Sequence, residues 1–170
     1  IANFFQNSKI IIRSSAHGED SIDQSQAGNY LSILNINSSS KSTVTKAINK
    51  VIESYIVKGN TNRDNQILVQ NHVSDILTSG VIFTRIPDTD APYYLINFDD
   101  STFTDSVTKG QVGNTIKIFR RTESTKIPKK WKKLLIAVKE IQDILKSDLL
   151  DIEFGITKNE IIIFQVRPIT

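Results

Sequence analysis

The fold class this sequence predicts is α+β, and three observations carry it. Short β-branched or alternating apolar runs outnumber the stretches with helical periodicity. Runs and helices are mixed in order along the chain. The C-terminal end reads as a β-hairpin, two alternating segments around a polar turn. Two main helices and a mixed or antiparallel sheet are therefore expected.

Taken in order, Lys9-Ile10-Ile11-Ile12-Arg13 predicts a buried strand that enters a polar loop, Ser14 to Gly28. Tyr30 to Ile36 predicts a second strand, and Ser38 to Ser42 a serine-rich turn. Val44, Ala47, Ile48, Val51, Ile52, Tyr55 and Ile56 then make one continuous helical stripe. Ser42 or Thr43 is placed to cap its start, and Gly59 stands where it should stop. Ile67 to Val73 and Val81 to Thr84 read as strands joined through Leu77-Thr78-Ser79-Gly80, with Tyr93 to Phe98 and Thr115 to Phe119 after them. Pro128 opens a second helix, where its missing N–H costs nothing. The apolar stripe of that helix is Trp131, Leu134, Leu135, Val138, Ile141 and Leu145. The hairpin pairs Leu149 to Ile156 with Glu160 to Val166 around Thr157-Lys158-Asn159.

Composition narrows the chemistry. The chain has 170 residues, 39% apolar and 23% charged, which suits one domain with a true core. No apolar run approaches the roughly 18 to 20 residues of a spanning helix, so no membrane partner is expected. Cysteine is absent and there are two histidines, which excludes thiolate and multi-histidine metal sites. Methionine is absent too and the chain starts at Ile1, so we expect a piece of a longer protein. Nine Lys/Arg against Glu123 alone lie between Lys117 and Lys139. Trp131 in their midst belongs to the helix's apolar stripe, so the lysines around it are expected to form a solvated face, and nucleic acid is not the expected partner.

Two polar pairs interrupt the apolar C-terminal strands. Alternation sends Asp151 and Glu153 to one face of their strand, and Gln165 and Arg167 likewise share a face. Two carboxylates at this spacing suit a hard divalent cation, and an adjacent guanidinium suits phosphate oxygens. A solvated strand face with a cross-strand Glu–Arg pair fits the same pattern, and both readings stand at this point. Arg13-Ser14-Ser15, with Glu19, Asp20, Ser25, Ala27 and Gly28 after it, has the composition of a phosphate cradle and equally of a polar surface loop.

Three blocks in order resemble the nucleotide-binding domain of the pyruvate phosphate dikinase and phosphoenolpyruvate synthase family. The first is Ile12-Arg13-Ser14-Ser15-Ala16, Glu19-Asp20 and Ser25-Gln26-Ala27-Gly28-Asn29-Tyr30. The second is Leu68-Val69-Gln70-Asn71-His72-Val73 with Ser79-Gly80-Val81-Ile82-Phe83-Thr84 and Pro87. The third is Asp151-Ile152-Glu153-Phe154 with Gln165-Val166-Arg167-Pro168-Ile169-Thr170. The resemblance implies an ATP-grasp-like fold over residues 1–170, corresponding to the C-terminal lobe region, as a single nucleotide-binding domain within a larger multidomain enzyme. It implies ATP and Mg2+ as cofactors. Arg13 would contact phosphates, with Ser25, Ala27 and Gly28 in the loop over them, and Gln70 would lie beside the adenine. Asp151 and Glu153 would hold magnesium, and Gln165 and Arg167 would contact phosphates. Arg13, Glu153 and Arg167 are the catalytic candidates.

The same resemblance implies a function. The activity would be that of an ATP-dependent phosphotransferase, passing phosphate through a phosphohistidine domain to a small-molecule acceptor, and a cytoplasmic location is expected. Neither the phosphohistidine domain nor an acceptor-binding domain falls within these residues, and neither His17 nor His72 resembles the carrier histidine. The 170 residues alone are therefore expected to be inactive. One departure is clear: the family's G-L-G-E stretch is replaced by Asn97-Phe98-Asp99-Asp100-Ser101. A divergent member is therefore expected. Its rivals are a kinase of another acceptor, such as glutamine in capsule phosphoramidate synthesis, and a non-catalytic nucleotide-binding module.

Overall fold

The computed structural model describes residues 1–16, 20–21, 24–25, 30–100 and 113–169. Ala27 and Gly28 lie outside the described residues. Contacts divide the chain into two units, Ile1–Ser74 and Asp75–Thr170. The fold is α+β, and every strand pairing among the described residues is antiparallel rather than mixed.

The first unit holds β1 (Lys9–Ser15), a short ribbon of β2 (Asp20–Ser21) and β3 (Gln24–Ser25), β4 (Ser32–Asn37), α1 (Lys41–Val57) and β5 (Gln66–Asn71). Its sheet has the order β4-β1-β5. Alternation along β1 buries Ile10 and Ile12 against Val44, Ala47, Val51 and Tyr55 of α1. Each such fully buried aliphatic side chain contributes about 1.5–3 kcal/mol of transfer free energy. The helix begins earlier than the sequence suggested. Ser40, not Ser42 or Thr43, is the N-cap: its extended backbone lets its side chain accept from the Thr43 N–H, while Thr43 Oγ1 turns back to the Ser40 carbonyl. The stop is where it was expected. Gly59 takes φ +72°, the Gly59 N–H donates to the Ile56 carbonyl, and the Asn60 N–H donates to that of Tyr55.

The second unit holds β6 (Thr78–Phe83), β7 (Tyr93–Asp99), β8 (Asn114–Phe119), α2 (Lys129–Leu145), β9 (Leu150–Ile156) and β10 (Ile161–Pro168), in the sheet order β10-β9-β6-β7-β8. The strands read as neighbours in sequence, β5 and β6, thus belong to different sheets. One face of the five-stranded sheet packs on α2, where Ile82, Ile96, Ile152 and Phe154 meet Trp131, Leu134, Leu135 and Val138. Trp131 is edge-on to Phe98 and Phe154, as the core reading of this residue requires. The buried stripe of α2 passes through Gln142, and Leu145 at the helix end is exposed. Lys130 also departs from expectation. Its ammonium lies over the Phe98 and Trp131 rings and pairs with Asp100, so it is not part of a purely solvated face.

Glycine at position 80 is required by the pairing of β6 with β7. A Cβ there would stand 2.2 Å from the Asn97 carbonyl oxygen. The glycine of the second sequence block is therefore required by strand packing in this chain.

Candidate functional site

The hairpin of β9 and β10 brings the four polar residues together. Asp151 is directly opposite Arg167 and Glu153 directly opposite Gln165. Their neighbours Leu150, Ile152 and Phe154 face α2, so the four lie on the face away from the helix. This phase depends on an irregularity in β10: Ile163 pairs with Phe154 and Gln165 with Glu153, leaving Phe164 as an extra residue. The Phe164 ring lies over Gly155, where a Cβ would come within 2.9 Å of it.

Arg167 is 7% exposed, an unusual setting for a guanidinium. Its Nη2 donates to Glu153 Oε1, and its Nε is 3.7 Å from Asp151 Oδ2. The cross-strand Glu–Arg pair foreseen as the plainer reading is therefore present, and it is part of the same cluster that would serve a phosphate. On β6, Phe83 is opposite Asp151 and Val81 opposite Glu153, so an apolar strip borders the carboxylates. Two carboxylates supply hard oxygen donors of the kind magnesium takes, so the residues fit that ion. Among the described residues no group of three or more His, Asp or Glu is gathered that could hold a metal ion.

In the first unit, Arg13 and Gln70 share a face. Ile11 pairs with Gln70 and Arg13 with Leu68, and this face is opposite the one that buries Ile10 and Ile12. Tyr55 fixes the end of β1: its hydroxyl accepts from the Ser15 N–H and donates to the Gln66 carbonyl. Ser25 belongs to the β2–β3 ribbon, paired with Asp20.

The divergent stretch begins within β7, and its residues Asn97 and Asp100 have local tasks. Asp100 accepts from Thr78 Oγ1 at 2.7 Å and from Lys130. The Lys130 hydrogen bond holds the Asp100 carboxyl below its ordinary range. Asn97 accepts from Thr115 Oγ1.

Sequence reasoning missed a second charged cluster. Arg120 donates to Asp148 Oδ1 at 2.9 Å, and Arg85 to Asp148 Oδ2 at 3.3 Å. Gln142 also donates to Asp148 and accepts from the buried Tyr94 hydroxyl. The hydrogen bond from Arg120 draws the Asp148 carboxyl down, and burial pushes the Tyr94 phenol up. The available signal was positional: Arg85 and Arg120 each come just after a strand, and Asp148 precedes one.

Residues 1–125 match the family model described as the pyruvate phosphate dikinase AMP/ATP-binding domain. The matched stretch takes in the first two sequence blocks and ends before α2 and the hairpin. A search for similar curated proteins found no match. No helix among the described residues is long and apolar enough to cross a membrane.

Proposed function

The chain belongs to the pyruvate phosphate dikinase AMP/ATP-binding domain family, and we propose that it is the ATP- and magnesium-binding part of a phosphotransferase of that family. Both units would form one ATP-grasp-like nucleotide-binding domain of a longer enzyme. The observation that carries this reading is the hairpin cluster: two carboxylates, an amide and a buried guanidinium on one sheet face.

In this reading Asp151 and Glu153 hold the magnesium ion, which supplies neutralisation of polyphosphate charge. Arg167 and Gln165 orient phosphate oxygens from the neighbouring strand. Arg13 offers paired planar donors to phosphate, and Gln70 serves the base from the same face of its own sheet. Ser25, Ala27 and Gly28 cover the phosphates. The transferred phosphoryl group goes to a histidine of a separate domain and then to a small-molecule acceptor. Catalysis by these residues is positioning and electrostatics.

The engagement of Asp100 by Thr78 and Lys130, where the family carries a different motif, favours one second reading: a kinase of the same family with another acceptor, such as glutamine.

Calorimetric titration of the 170-residue chain with ATP, with and without Mg2+, tests the proposal. Magnesium-dependent binding that Asp151→Asn removes is the expected result. Binding unchanged by that substitution would refute the assignment of the hairpin.

A further inference from the structure

The geometry points to a second duty for Arg167, resting on the reading just given: it competes with the divalent cation for Asp151 and Glu153, and so makes metal binding depend on the nucleotide.

Two contacts carry this. The guanidinium engages Glu153 Oε1 through Nη2 and faces Asp151 Oδ2 through Nε, so one side chain spans both carboxylates. The strand register enforces it, because Arg167 is directly opposite Asp151 and diagonal to Glu153. With 7% exposure, Arg167 has little water to retreat into. A guanidinium does not lose its proton in a protein, so it cannot make room by becoming neutral.

A cation arriving alone must therefore share or take oxygens that already hold a positive charge, beside a guanidinium that repels it. A cation arriving with a polyphosphate meets a different balance. The phosphate oxygens accept the guanidinium as it leaves Glu153, and they screen it from the metal. The same residue then opposes the metal in one case and supports it in the other. Such reciprocal coupling between two ligands is ordinarily worth 5- to 150-fold in affinity, by order of magnitude about tenfold.

Mn2+ titration followed by water-proton relaxation tests this on the 170-residue chain and its Arg167→Gln variant. With Mn2+ alone, the variant should bind about tenfold more tightly than the unaltered chain. With Mn2+ and ATP together, the order should reverse. Equal Mn2+ affinities in the two chains, with ATP binding lost in the variant, would overturn the competition and leave the ATP reading standing. Failure of the unaltered chain to bind Mn2+ with ATP would overturn both.

Because Arg167 is buried, its substitution puts folding at risk, and a measurement on the unaltered chain serves alongside the variant. Side-chain NMR should show the Arg167 Nε–H signal moving when Mg2+ is added without nucleotide, together with the Asp151 and Glu153 carboxylate signals. Carboxylate signals that move while the Arg167 signal stays fixed would overturn the proposal.

Discussion

The two sheets handle charge in different ways. The three strands β4, β1 and β5 contain no acidic residue, and Arg13 lies half-buried on the face away from α1. In the five-stranded sheet, β9 contributes Asp151 and Glu153, and β10 returns Arg167 nearly fully buried between them. The difference teaches which positions report on what. A change at the hairpin removes a partner from a buried ion pair, so it disturbs folding and ligand together. A change at Arg13 bears mainly on whatever its guanidinium meets on that face.

The comparison breaks most severely at Gly80. Gly80→Ala puts a methyl group against backbone in the middle of the second sheet and should cost about 3 kcal/mol, lost chiefly from the unit Asp75–Thr170. Gly59→Ala in the first unit meets open space and carries only the left-handed strain, about 1 kcal/mol. Urea unfolding followed by Trp131 fluorescence, which reports the second unit, should respond to the first change and hardly to the second. A loss of about 1 kcal/mol for Gly59→Ala on this same probe would show that the two units unfold as one.

The next effect concerns ligand. Glu153→Gln should weaken magnesium-dependent ATP binding by about a hundredfold and lower stability by about 1.5–3 kcal/mol, since the amide oxygen still accepts from buried Arg167 but no longer balances its charge. Arg13→Lys should weaken ATP binding by about tenfold, with a smaller fall in melting temperature. Calorimetry and thermal unfolding on both variants give the contrast. An Arg13→Lys protein that binds ATP normally but melts early would make Arg13 a structural residue.

A smaller effect separates the helix ends. Lys146 holds φ +53° at the end of α2, the role Gly59 plays for α1. Lys146→Gly should stabilise by about 0.5–1 kcal/mol, measured by the urea midpoint. An unchanged or lower midpoint would argue that Lys146 makes compensating contacts.

The smallest is the acid response of the Asp148 cluster. The Asp148 carboxyl is held low by Arg120, so its contribution is present above the unfolded value of about 4 and is lost as pH falls through the lower folded value. The gap in melting temperature between the unaltered chain and Asp148→Asn should shrink from pH 7 to pH 3. A constant gap would assign the effect to packing.

Alternation made the hairpin legible in the sequence alone: Asp151, Glu153, Gln165 and Arg167 stand out because everything beside them is apolar. Trp131 was readable for the same reason, through its place in a helical stripe. The Asp148 cluster was not, because Arg85, Arg120 and Asp148 are distant in sequence and meet only when β6, β8 and β9 are aligned. The cap of α1 was misplaced because Ser38 to Ser42 offers several hydroxyls, and only backbone conformation selects Ser40. The partition into two sheets was hidden as well, since β5 and β6 succeed one another in the chain with no compositional break between them.

The extra residue in β10 has a genetic consequence. Strict alternation would send Ile161, Ile163, Gln165 and Arg167 to one face. Because Phe164 has no partner in β9, the phase changes there: Ile161, Ile163 and Val166 pack toward the helix side, and Gln165 and Arg167 join the carboxylates. Loss of the Phe164 codon would leave the remaining pairs as they are and turn β10 into a regular strand. Loss of the Val166 codon would instead remove the residue that faces Ile152 and set a polar one there: Arg167 if Phe164 stays unpaired, Gln165 if Phe164 takes up the gap. Within two codons of each other, one in-frame deletion should leave the sheet's core intact and the other should put a polar side chain into it.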